Sequence, residues 1–159
     1  MAVQLIGDKT IFAVEFQQYD GDERMGYAKI WFGGKPLGTN EDLIFKSYLI
    51  QGLEDLLLST PLVSNSEMNP KNLFHYLSIN INRTDSFRHL GRSFGTFCDD
   101  FTIFSHSSGN DIHVLWKLHN ASTPFSDLNK LSQDVHHFVI NKNALANLVE
   151  AVIKVINYR

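Results

Sequence analysis

One cysteine, Cys98, in 159 residues excludes an internal disulfide. Beside Phe97 it reads as a small buried hydrophobe rather than a reactive thiol. No run approaches the roughly 18 apolar residues that a membrane-crossing helix needs. The start, Met-Ala-Val-Gln-Leu-Ile-Gly-Asp, lacks the basic and apolar regions of a secretory leader, so the expected location is the cytoplasm, with no membrane partner. Basic charge is also scarce. Lysine and arginine number 14 against 17 acidic residues, a formal charge of -3, and this argues against a nucleic-acid partner, which calls for a basic excess or stripe. There is no internal repeat, low-complexity tract or linker, so residues 1–159 are expected to form a single domain. With 43% hydrophobic and 19% charged residues, a chain of this length suits one globular body that buries roughly two thirds of its unfolded surface.

What the chain does have is alternation. Ile6-Gly7-Asp8 leads into Phe12-Ala13-Val14-Glu15-Phe16, a polar turn at Asp20-Gly21-Asp22-Glu23-Arg24, and Gly26-Tyr27-Ala28-Lys29-Ile30-Trp31-Phe32. Phe12, Val14 and Phe16 alternate with Ala13, Glu15 and Gln17, and Ala28, Ile30 and Phe32 with Tyr27, Lys29 and Trp31. This predicts an opening β-hairpin with one apolar face on each strand. Gly33-Gly34-Lys35-Pro36-Leu37-Gly38 carries turn chemistry. Tyr48, Leu49, Gly52, Leu53, Leu56 and Leu57 recur at helical spacing and predict a helix over 47–58, with Ser47 as its N-cap. Asn69-Pro70 opens a second helix with a stripe at Leu73, Phe74 and Leu77. Residues 79–97, with Arg83, Arg88 and Arg92, read as irregular structure with at most a helical turn.

A second hairpin follows from Phe101 to His106, a Ser107-Ser108-Gly109-Asn110 turn, and Ile112 to His119, with Trp116 in phase with Ile112 and Val114 and so in the core. A polar connection over 120–134 precedes a strand at 135–140. The last helix carries Leu145, Leu148, Val149, Val152, Val155 and Ile156 on one stripe behind Asn141 as cap, with Lys154 near the negative end of its dipole. Strands in hairpins rather than alternating with helices make the expected class α+β. The architecture is an antiparallel β-sheet with the helices over 47–58 and 142–157 packed on one face.

The Gly-Asp pair, the Phe-Ala-Val-Glu-Phe strand, the Trp in the following strand and the later Leu115-Trp116-Lys117 strand resemble the immunity proteins of bacterial polymorphic toxin and contact-dependent growth inhibition systems, in particular the immunity protein 42 family. The resemblance runs from Gly7 to Leu58 and again from Asp99 to the terminal helix. It implies a non-catalytic module that binds a cognate toxin C-terminal domain, in many such systems a nuclease, and blocks its active site or an exosite. It implies no cofactor and no metal.

Chemical signatures are sparse by comparison. The seven histidines show no His-x-x-x-His helix, and His136 and His137 point to opposite sides of a strand, so that pair cannot simply chelate one ion. His106 and His113 flank a hairpin turn and are placed to approach each other, which makes them the residues of a second reading, a small histidine-dependent hydrolase or ribonuclease. Gly33-Gly34-Lys35 lacks the frame of a phosphate loop and reads as a tight turn. No Ser-His-Asp set can be assembled.

A partner-binding surface is therefore the leading expectation. Residues 1–60 hold nine acidic and five basic side chains, a balance of -4, whereas residues 61–98 hold two acidic and four basic, a balance of +2. Asp20, Asp22 and Glu23 at the hairpin turn, joined by Glu41, Asp42, Asp99 and Asp100, are expected to meet a basic toxin cleft, where their field speeds encounter and opposes substrate. Tyr27 and Trp31, opposite the apolar face of their strand, are the expected aromatic anchors, with burial under a loop as the rival placement. A third reading is an oligomerising structural domain; the sequence leaves the oligomeric state open.

Overall fold

Gly7 is the first residue whose backbone shapes the fold. It sits at φ +97°, where a Cβ would run into the Phe12 carbonyl, so the chain there accepts little but glycine. Asp8 then folds the next turn, its Oδ1 accepting from the Thr10 backbone at 2.8 Å and the Thr10 hydroxyl at 2.7 Å. The Gly-Asp pair thus joins a strand β1 (Gln4–Asp8) to β2 (Phe12–Gln18), and the opening hairpin is in fact a three-stranded meander with β3 (Met25–Phe32). The computed structural model describes residues 2–62, 68–81, 89–120 and 122–158.

Beyond β3, Gly33 and Gly34, both at positive φ, make the anticipated tight turn into β4 (Lys35–Leu37). A short β5 (Ile44–Phe45) pairs with the start of β3, completing a five-stranded antiparallel sheet. Helix α1 (Lys46–Leu57) follows at once. A second, three-stranded antiparallel sheet contains β6 (Phe101–Ser108), β7 (Asp111–Leu118) and β8 (His136–Asn141). Helices α2 (Pro70–Asn80) and α3 (Lys142–Val155) complete the elements, together with a 3-10 turn at Thr96–Cys98. The α+β class is as expected. The strands divide between two sheets, a partition that alternation along single strands does not specify.

The main core lies between these sheets and includes α1 and α3. Phe12, Val14, Phe16, Ala28, Ile30 and Phe32 are all buried, as their alternation predicts, and meet Ile103, Val114 and Trp116 from the second sheet. Phe32 joins the two: its ring centroid lies 5.3 Å from Trp116 and 5.4 Å from Phe138. Helix α2 lies on the other face of the second sheet, where Leu73, Phe74 and Leu77 pack with Leu90, Phe104 and Leu115 in a smaller cluster. The second sheet is therefore covered on both faces. Cys98 is buried, which pushes its thiol pKa well up, in keeping with a packing role.

Two details of α1 correct the sequence reading. Ser47 is not the cap: the strand pairing of Ile44 and Phe45 and the bond from the Lys46 backbone N–H to the Arg24 carbonyl turn the chain earlier, so Phe45 takes the cap position with no side-chain hydrogen bond. Tyr48 is not on the buried stripe. Leu49, Gly52, Leu53 and Leu56 face the core, whereas Tyr48 is 56% exposed. The other caps are where they were expected. Asn69 accepts from the Asn72 N–H at 2.9 Å with Pro70 behind it, and Asn141 accepts from Asn143 at 2.9 Å.

Residues 82–88, with Arg83 and Arg88, lie outside the described residues, as do 63–67 of the preceding polar loop. The segment from 89 onward is irregular, as read, but contributes Leu90, Phe94 and Phe97 to the interior. The polar connection over 120–134 is anchored too: Leu128 is fully buried, and Asp100 accepts from Asn120 Nδ2 at 2.7 Å and from the Thr123 hydroxyl at 2.6 Å.

Candidate functional site

Strand pairing alone assembles one continuous outer surface on the first sheet. Directly opposed residues of an antiparallel pair share a face. Met25 opposes Phe45, and Gly26 opposes Ile44, which is buried, so Met25 and Phe45 point outward. Tyr27, Lys29 and Trp31 follow Met25 at every second position and lie on that same outer face. At one end the Phe45 ring meets Tyr48 edge-on, centroids 5.7 Å apart and planes at 86°. Both are exposed, and they form an aromatic corner where β5 enters α1.

Carboxylates stand on both sides of that corner. On one side is the β2–β3 turn. Asp22 is consumed within it: its Oδ1 accepts from the Arg24 backbone at 2.9 Å and from Nε at 3.0 Å, and its Oδ2 from Nη2 at 2.8 Å. The Arg24 guanidinium lowers the Asp22 pKa to about 2. Asp20 and Glu23 remain exposed beside it. On the other side, Tyr48, Gln51, Gly95 and Asp99 line a shallow groove. Partial burial raises the Asp99 pKa, and the neighbouring Asp42 and Asp100 charges raise it further. Asp100 itself is tied to the 120–134 connection, so of the expected acidic pair only Asp99 faces the groove.

Tyr27 and Trp31 are half-buried rather than fully covered. Trp31 Nε1 donates to Glu15 at 2.9 Å, Lys9 Nζ lies 4.6 Å from the ring centroid, and Lys9 pairs with Glu15 at 2.6 Å. Tyr27 meets the Tyr19 ring edge-on at 6.4 Å. Phe45 and Tyr19 were not singled out from the sequence, and Tyr48 was read there only as part of the helical apolar stripe. The signal that finds Phe45 is the parity of the β3–β5 pairing, which is not local in the chain.

The second reading rested on His106 and His113, and the structure does bring them together. They oppose each other across β6 and β7, with ring centroids 4.6 Å apart and planes within 12°. A third ring joins them: His137 Nε2 lies 2.9 Å from His113 Nδ1. The centroid distance of 5.2 Å is what an in-plane bond between two imidazoles requires, so these rings meet edge to edge. His136 turns the other way, toward Trp116 at 5.3 Å, as strand alternation requires.

Burial lowers the pKa of all three clustered imidazoles. His106 falls to about 4, with the His113 charge as a further cause. Around pH 7 the array is therefore neutral and bonded to itself, with Pro61, Leu62, Pro70 and Leu73 lining the adjacent cleft. Among the described residues no three histidine, cysteine or carboxylate side chains gather in a way that would hold a metal ion, and no helix is long and apolar enough to cross a membrane.

The structure superposes on the crystal structure of CdiI from Burkholderia dolosa with a TM-score of 0.65 at 12% identity, covering 95% of this chain and 99% of that one. The sequence matches the model of the family described as immunity protein 42 over residues 1–155, and the chain belongs to that family. No curated protein matches it.

Proposed function

We propose that the chain, acting as one domain in the cytoplasm, neutralises a cognate bacterial toxin C-terminal domain by binding it and occluding its active site or an exosite, without catalysis of its own. The family and the fold support the immunity role. The observation that carries the placement of the surface is the exposed Phe45–Tyr48 corner, flanked by Asp20 and Glu23 on one side and by Asp42 and Asp99 on the other. Aromatic anchors ringed by charge are the usual pattern of a small set of residues carrying most of an interface energy. Exposed carboxylates beside them favour a basic partner such as a nuclease cleft and steer its approach. Tyr27 and Trp31 extend the same face.

The test is co-expression with the toxin domain encoded beside this gene. Growth rescue, a stable complex of the two purified proteins and loss of toxin activity are expected. Failure to rescue together with failure to bind overturns the proposal. Turnover by the isolated chain that disappears in His106→Ala would instead establish the histidine-dependent hydrolase.

A further inference from the structure

Asp99 is a carboxylate that the fold crowds with like charge and leaves without a donor. Asp22, Asp100 and Asp127 are each held by donors of the protein itself. No donor or cation among the described residues bonds the Asp99 side chain. Partial burial and the charges of Asp42 and Asp100 raise its pKa, and only the His119 imidazole acts in the other direction. The folded chain therefore carries a negative charge under repulsion, which a cation brought by a partner would relieve.

Shape and lining narrow the kind of cation. Asp99 lies in a groove of about 330 Å³ beside α1, whose other lining residues include Tyr48, Gln51, Gly52, Ser93 and Gly95. Gly95, at φ +123°, keeps its part of the wall bare, because a residue with a side chain is strained in that conformation. Tyr48 supplies an exposed aromatic ring, and Asp99 is the one charged residue of the lining. A guanidinium suits this combination better than an ammonium. It is planar, it stacks on aromatic rings, it gives a carboxylate two parallel N–H bonds, and its weaker hydration makes entry into a groove easier.

We propose that this groove is the docking slot for an arginine side chain of the toxin domain, its guanidinium stacked on Tyr48 and paired with Asp99. The inference rests on the toxin-binding reading and adds to it one contact of defined chemistry.

The experiment measures, by calorimetry, the affinity of the full chain and of its Asp99→Asn, Tyr48→Leu and Glu150→Gln variants for the toxin domain encoded beside the gene, with the Tm of each free protein. Asp99→Asn and Tyr48→Leu should each weaken the complex at least about fivefold. Asp99→Asn should at the same time raise the Tm of the free chain, since it removes a repelled charge. Glu150→Gln, which alters an exposed acid of α3, should bind as the natural chain does. Unchanged affinity in either groove variant, or a lower Tm in Asp99→Asn, overturns the slot and leaves the immunity reading standing. If the natural chain binds no toxin domain, that reading fails, and NMR titration with N-acetylarginine amide decides whether the groove takes a guanidinium. Saturable shifts at the Gly95 amide that are lost in Asp99→Asn support it. No shift, or an equal shift with N-acetyllysine amide or with the neutral citrulline analogue, overturns it.

Discussion

Lys29 of β3 reaches across to Asp127 of the 120–134 connection, Nζ to Oδ2 at 3.0 Å, with both side chains mostly buried. The same carboxylate accepts the Thr39 hydroxyl at 2.7 Å and the Asn40 backbone N–H at 3.2 Å. Glu41 returns the contact by accepting from the Asp127 N–H at 2.9 Å and the Ser126 hydroxyl at 2.8 Å. One loop of the first sheet and one connection of the second are thus locked by reciprocal carboxylates.

Asp127→Ala should therefore destabilise the fold by about 2 kcal/mol, because it strands Lys29 and the Thr39 hydroxyl as well as removing bonds. Burial alone would raise the Asp127 pKa, but the bonds from Thr39 and Lys29 outweigh it and leave it lowered. A carboxylate with a depressed folded pKa contributes stability above its unfolded value, lost as pH falls through the folded one. Urea melts should show the gap between the natural chain and the variant closing below the ordinary carboxylate range.

The histidine array likewise disfavours protonation in the folded chain. The folded chain resists protonating His106, whose pKa is about 4 against an ordinary 6.5. Its contribution is complete above pH 6.5 and is lost as pH falls toward 4. His106→Phe should flatten the pH dependence of the urea midpoint across that window. An unchanged slope would mean that His106 does not carry it.

Gly52 packs α1 against the 93–94 backbone: a Cβ there would lie 2.5 Å from the Ser93 carbonyl and 2.6 Å from Phe94 Cδ1. Gly52→Ala should cost about 1–3 kcal/mol by overpacking, even though alanine favours a helix by about 1 kcal/mol. Chemical denaturation gives the sign directly.

Phe45→Ala and Tyr48→Ala should leave stability within about 0.5 kcal/mol in the free protein. Each should weaken toxin binding by at least about 1 kcal/mol if the aromatic corner is the anchor. Calorimetry with the purified toxin domain separates the two effects. Normal affinity in the double variant would move the interface elsewhere.

Trp116 is buried with no acceptor for its Nε1 among the described residues. Trp116→Phe removes that unmet donor along with some packing and should cost about 1 kcal/mol, against about 3–5 kcal/mol for Trp116→Ala. Parallel urea titrations of the two variants measure the difference.

Where side-chain periodicity is local, the sequence was readable. Phe12, Val14 and Phe16 on β2 and Ile112, Val114 and Trp116 on β7 reveal their buried faces within seven residues, and Asn69 and Asn141 mark their helix starts by cap chemistry alone. Contacts between distant segments were not readable. That His137 meets His113 depends on β8 pairing with β7 after a long connection, and that Asp100 and Asp127 are structural depends on where that connection lies. Tyr48 misled because its spacing suits a broad apolar stripe, whose true phase is set by the β5 pairing.

The engagement of Asp22, Asp100 and Asp127 within the molecule has a bearing on association kinetics. Asp22 and Asp127 each face a cation, Arg24 and Lys29, so their local fields are reduced and the negative potential that a partner meets is concentrated at other carboxylates. Added salt should then slow capture of a cationic partner, and the slope should trace to Asp20, Glu23, Asp42 and Asp99.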